Sequence, residues 1–147
     1  PTCREDVLEI FFKTHPDQEP YFNFEINALG TVYDAFNPRL NFAGGSFRWC
    51  HWNCADLRVG VQVHGTLNDP SDLDEGWDLE MAIPFRSLPT LQGRPPAEGD
   101  VWAFHLARYD YSVYLPGEGK ELTSCAPLAG KSFHDGSESW LRLRFQR

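Results

Sequence analysis

The feature that most constrains this chain is a two-residue hydrophobic period recurring from end to end, with no sustained helical period. In Tyr21–Leu29, Phe22, Phe24, Ile26 and Ala28 share one face, while Tyr21, Asn23, Glu25 and Asn27 share the other. That is the pattern of a half-buried strand with a polar outer face. Leu57, Val59, Val61 and Val63 alternate with Arg58, Gly60, Gln62 and His64; Trp77, Leu79, Met81 and Ile83 alternate with Asp78, Glu80 and Ala82. Val7–Lys13, Thr31–Asn37, Val101–Asp110 and Leu141–Phe145 complete seven short strands, and a helical turn is expected around Pro84–Leu88. Short strands separated by Pro, Gly and Asp loops predict an all-β fold, an antiparallel β-sandwich. At 147 residues the chain reads as one domain over 1–147. Two long connections, Pro38–Asp56 and Tyr111–Trp140, hold Trp49, Trp52, Phe133 and His134; loops of that length are often functional.

Charge and motifs narrow the function classes. Thirteen basic against 21 acidic residues give a net charge of −8, which argues against a phosphate-backbone partner. Apolar runs such as Ile10-Phe11-Phe12 are too short for a membrane helix, so no nucleic-acid and no membrane partner is expected. The chain begins at Pro1 rather than Met, so an upstream segment is expected to have been removed or left out. Glu9, Glu25 and Glu80 fall on strands and read as solvated outward positions rather than a glycosidase pair. With no nucleophile elbow and no phosphate loop, intrinsic catalysis is not expected.

Four cysteines (Cys3, Cys50, Cys54, Cys125) read as structural thiols or disulfide partners. Cys50-His51-Trp52-Asn53-Cys54 lacks the second Cys/His pair that structural zinc requires. The acidic stretch 68–76 makes Asp69, Asp72 and Asp74 a candidate calcium site, since calcium takes about six to eight oxygen ligands. The competing reading is a hairpin loop whose Asp and Asn side chains cap their own backbone.

Aromatic residues make up 14% of the chain, and such side chains fill sandwich cores or stack on ligands. Sugars present apolar C–H faces rimmed with hydroxyls, so they suit aromatic rings flanked by carboxylate, amide or Arg groups. Phe47–Asn53 and Ser132–Asp135 offer that mixture. The competing reading makes Trp49 and Trp52 plugs for the open end of the sandwich.

Several short motifs then occur in order. Asp6-Val7-Leu8-Glu9-Ile10-Phe11-Phe12, Tyr21-Phe22-Asn23-Phe24-Glu25-Ile26-Asn27 with Gly30-Thr31-Val32, Gly76-Trp77-Asp78-Leu79-Glu80-Met81-Ala82-Ile83-Pro84-Phe85, Gly99–Leu106 and Leu141-Arg142-Leu143 resemble the signatures of family 9 carbohydrate-binding modules. The resemblance implies a DOMON-like β-sandwich, extracellular or periplasmic in bacteria, that binds oligo- or polysaccharide without catalysis beside polysaccharide-degrading enzymes, with calcium as an associated ion. Together with the loop aromatics, this gives an expected ligand-facing set of Glu9, Trp49, Trp52, Arg108, Phe133 and His134. Cys3 stands where the family's first clamping Trp is expected, Phe133 near the second, and Glu25 where an Arg is expected. Family members begin with further strands ahead of the first signature, so a core face is expected to be covered by a second copy, as a homodimer, or by a neighbouring domain. The alternatives are a haem- or metal-binding oxidative module, resting on His51, His64, His105, Cys50 and Cys54, and a structural interaction domain.

Overall fold

The computed structural model describes residues 5–39, 52–69, 71–117, 119–128, 130 and 132–146. Among them are eight strands: β1 (Val7–Lys13), β2 (Tyr21–Asn27), β3 (Val32–Asn37), β4 (Arg58–His64), β5 (Gly76–Ala82), β6 (Val101–Tyr111), β7 (Lys120–Ser124) and β8 (Leu141–Arg144). All pair antiparallel, in the order β3-β2-β1-β6-β7, with β8 also on β6. β6 is 11 residues long. Its first half pairs β8 and its second half β7, both along the same edge. β4 and β5 form a separate two-stranded sheet. The expected all-β sandwich is what the chain forms. The helical turn lies as 3₁₀ turns at Phe85–Ser87 and Pro89–Leu91. One strand was not expected: β7 lies inside the connection read as a loop, because Lys120–Ser124 has no clear apolar alternation.

β1 sits at the centre, bonded to β2 on one side and β6 on the other. Alternation sends Leu8, Ile10 and Phe12 to one face and Val7, Glu9, Phe11 and Lys13 to the other. On the first face Phe12 packs against Phe22, Phe24 and Trp102, with ring centroids 5.1, 5.8 and 5.3 Å away. Val59, Val61, Leu79 and Met81 of β4–β5 close over this aromatic row. The β2–β3 hairpin turns at Gly30, whose φ of 75° suits glycine, while Asn27 Oδ1 accepts the Leu29 and Thr31 N–H groups at 3.1 and 2.8 Å.

The second face departs from expectation. Tyr21, Asn23 and Asn27 are buried rather than solvated, and so is Glu9. The reason is a cover: Phe133 and Trp140, from the segment after β7, pack on Phe11, Tyr21, Ala103 and Ala107. Both faces of the large sheet are therefore enclosed over its central strands.

Between the large sheet and β5 an apolar cleft of about 550 Å³ stays open, walled by Ile10, Phe104 and Leu106 on one side and by Trp77, Leu79 and Met81 on the other. β5 pairs with β4 alone among the described residues.

Phe12→Ala should destabilise the fold by about 3–5 kcal/mol in urea denaturation, since it removes a buried ring from the centre of the row. Leu73→Ala, at a side chain 97% exposed, should stay within about 0.5 kcal/mol of wild type. Equal effects would contradict the packing described.

Candidate functional site

The enclosed face of the large sheet is unusually polar. Reading across β3, β2, β1 and β6, one row runs Tyr33, Glu25, Glu9, Ala107 and the next Ala35, Asn23, Phe11, His105. Glu9, Lys13, Asn23, Asn27 and His105 are each at most 6% exposed. Phe11 lies at the centre of this patch. Around it are His134, Trp140 and His105 at 4.9, 5.6 and 5.8 Å. The His105 and Trp140 rings lie parallel, 5.7 Å apart at 6°. Phe133 stands edge-on to Tyr109 at 5.2 Å. Tyr21 and His134 are joined by a 2.8 Å hydrogen bond between the hydroxyl and Nδ1.

Two electrical consequences follow. Burial, with the Glu25 carboxylate directly across the strand pair, pushes the Glu9 carboxyl up to about 8. The carboxyl is thus mostly protonated at neutral pH. Burial lowers His105 and His134, so both rings are neutral at pH 7. Three enclosed nitrogens on this face, Asn23 Nδ2, His105 Nε2 and Trp140 Nε1, have no hydrogen-bond partner among the described residues. Each such group left unsatisfied costs about 1–3 kcal/mol, and native structures carry few of them.

The residues expected from sequence are not gathered in one place. Glu9, Phe133 and His134 belong to this face. Phe133 is only 1% exposed, so its ring is a packing element with no free face to stack on. Trp52 lies on the opposite, apolar face, against Phe22, Phe24 and Phe36 at 5.2, 5.9 and 6.4 Å, as a plug would. Trp49 lies outside the described residues, as do Cys3, Cys50 and His51. Arg108 alternates to the apolar side and reaches the end of the sandwich, where it pairs with Asp110 at 2.6 Å. There it lines an open cleft of about 580 Å³ with Trp77, Asp74, Glu75 and Asn68.

The acidic loop caps itself. Asp74 accepts the Thr66 N–H at 2.6 Å, Asp72 the Thr66 hydroxyl, and Asp69 both the N–H and hydroxyl of Ser71 at 2.9 and 2.6 Å. Gly65, at φ 154°, leaves room for the Asp74 carboxylate, which a Cβ there would strike. Among the described residues no three His, Cys, Asp or Glu side chains stand together as a metal site. Cys54 and Cys125 are free thiols, the first buried and raised to about 11 by that burial. His64 is engaged by Asp78 at 2.7 Å.

Sequence reasoning missed Asn23 and Trp140, and read His105 only as support for a haem- or metal-binding alternative. The signal was present in Phe11: a large apolar ring on the face that otherwise reads as polar requires a cover over that face.

Comparison with solved structures gives a candidate carbohydrate-binding protein from Bacteroides uniformis, at a TM-score of 0.56 and 16% identity. The match takes in 95% of this chain and 61% of the other, so this chain spans about three fifths of its neighbour's length. The likeness establishes a shared fold. No protein-family model and no curated protein matches the chain.

Glu9 makes stability depend on pH. Native Glu9 keeps its proton up to about pH 8, whereas in the unfolded chain it loses it near the ordinary carboxylate value. Its contribution to stability is therefore lost as pH rises between those values, by up to about 1.4 kcal/mol per pH unit. Glu9→Gln is neutral throughout, so its stability should gain on wild type steadily from acid toward pH 8 in urea melts. Parallel pH profiles would contradict the assignment.

Proposed function

We propose that this protein binds carbohydrate, without catalysis, on the enclosed polar face formed by β2, β1 and β6. The observation that carries the reading is the coincidence of three buried nitrogens, unsatisfied among the described residues, with a ring of aromatic side chains and a protonated carboxyl. A saccharide hydroxyl both donates and accepts, so it can satisfy Trp140 and Asn23 N–H groups, His105 and Glu9 alike, while its C–H faces lie on rings. Tyr33, Glu25 and Tyr109 on the same face are half-buried, and in this reading a sugar would approach past them. The likeness in fold to the Bacteroides protein points the same way. The finer reading, a module working outside the cell beside polysaccharide-degrading enzymes, rests on the sequence resemblance set out above.

A second reading, a structural interaction domain, draws on the apolar cleft beside β5. A neighbouring domain or a second copy covering that cleft would bury Leu79 and Met81 and leave the polar face unused.

Asn23→Leu separates the two. Removing an unsatisfied amide should leave the fold as stable as wild type or more stable by about 1 kcal/mol, while lowering saccharide affinity about tenfold, measured by Trp fluorescence titration across a panel of soluble oligosaccharides. Affinity unchanged in a folded Asn23→Leu would remove this face from sugar binding. A flat response of the wild type to the whole panel would favour the interaction domain.

A further inference from the structure

We propose that the apolar cleft beside β5 takes an extended polypeptide strand of a partner, which pairs with the free edge of β5 and sets alternate apolar side chains into the cleft. The polar face and its ligand take no part in this second site.

The two sheets differ in width. The large sheet is five strands across and the small one two. β4 stands toward the β2–β3 turn, where Val61 lies 3.8 Å from the position of a Cβ on Gly30. β5 stands over β1, its Leu79 and Met81 sharing the cleft of about 550 Å³ with Leu8 and Ile10. No described strand takes the next place in the small sheet, over β6 and β8. Leu141 and Leu143 of β8, opposite Phe104 and Trp102 in the register, turn to that same side and are 47% and 45% exposed.

The backbone decides what kind of occupant fits. β5 uses one row of its N–H and C=O groups on β4. The other row, along a strand of seven residues, meets no strand among the described residues, and an open edge of this kind is a template for pairing. A lipid or other small apolar molecule would fill the cleft and leave that row unpaired. A polypeptide strand meets both needs, because main-chain bonds run along the edge while every second side chain drops into the cleft.

Geometry and charge narrow the occupant further. A second copy offering its own β5 would carry its large sheet into the space that β6 and β8 fill, so the strand comes as a lone extended segment. Its outward side chains stand beside Glu80, which is exposed and has only Gly60 opposite it on β4. A basic residue there is matched in charge across the new strand pair. Asp78, the neighbouring outward residue, is already held by His64 at 2.7 Å.

The test is fluorescence anisotropy of a labelled nine-residue peptide, capped at both ends, that alternates valine with lysine or threonine. Its control has the same composition, and so the same charge, with the valines grouped together. At physiological salt the alternating peptide should bind saturably, one per chain, and at least about tenfold tighter than the control. Two backbone-methylated versions, one at the valines and one at the residues between them, block opposite edges of the added strand. One should lose about tenfold in affinity and the other should bind like the parent. Glu80→Lys should weaken binding severalfold and Leu143→Glu about tenfold, both with unchanged circular dichroism. Equal binding of alternating and grouped peptides, equal loss from both methylations, unchanged affinity in both variants, or no binding to the folded chain overturns the proposal. Decanoate binding that Leu143→Glu abolishes, without peptide binding, assigns the cleft to a small apolar molecule and overturns it. Sedimentation as a dimer that Leu143→Glu dissociates assigns the cleft to a second copy and also overturns it.

Discussion

The structure depends on two adjacent phenylalanines in the middle of its central strand. Because successive side chains leave a strand on opposite sides, Phe11 and Phe12 commit β1 to burial on both faces. Phe12 is answered by a row of rings from β2 and β6 and by the β4–β5 pair. Phe11 is answered by Phe133, His134 and Trp140 from the segment after β7. A strand buried on one face only could have been an edge element. This one must be central, and the order of the large sheet follows from it.

The two faces are built on different chemistry. The first is apolar and aromatic, and its packing needs no special account beyond area removed from water. The second seals a carboxyl, two amides, an amine and an imidazole beneath rings, an arrangement that stability alone would not select, since apolar replacements of similar shape would hold the sheet at lower cost. Groups kept buried and unsatisfied mark sites where something other than folding sets the residue. On this face those residues are Glu9, Asn23, His105 and Trp140.

Much of the fold was legible in the sequence because half-buried strands write their period plainly: β2, β4 and β5 lie where alternation put them. β7 was not, since Lys120–Ser124 pairs at an edge where neither face requires apolar residues. The site was less legible. Alternation separates the faces of β2 but does not say whether the polar one meets water or a cover, so Glu9 read as solvated. The long connections drew attention to their aromatics as exposed anchors, yet Trp52 and Phe133 serve as packing. Arg108 sits one residue from Ala107 and Tyr109, and that single step places it on the other side of the sheet, at the end cleft, away from Glu9. Trp140, which closes the site, gave no signal because nothing local distinguishes a covering indole from one leading into β8.

The central claim is that the polar face is where ligand meets protein. Trp140 carries the most direct reporter, an indole N–H enclosed on that face with no partner among the described residues. In a ¹⁵N-resolved NMR titration with saccharide, the account predicts that the Trp140 indole resonance moves to saturation with the His105 ring signals, while that of Trp77 holds still. Movement of Trp77 at the end cleft, with Trp140 and His105 unmoved, would contradict it.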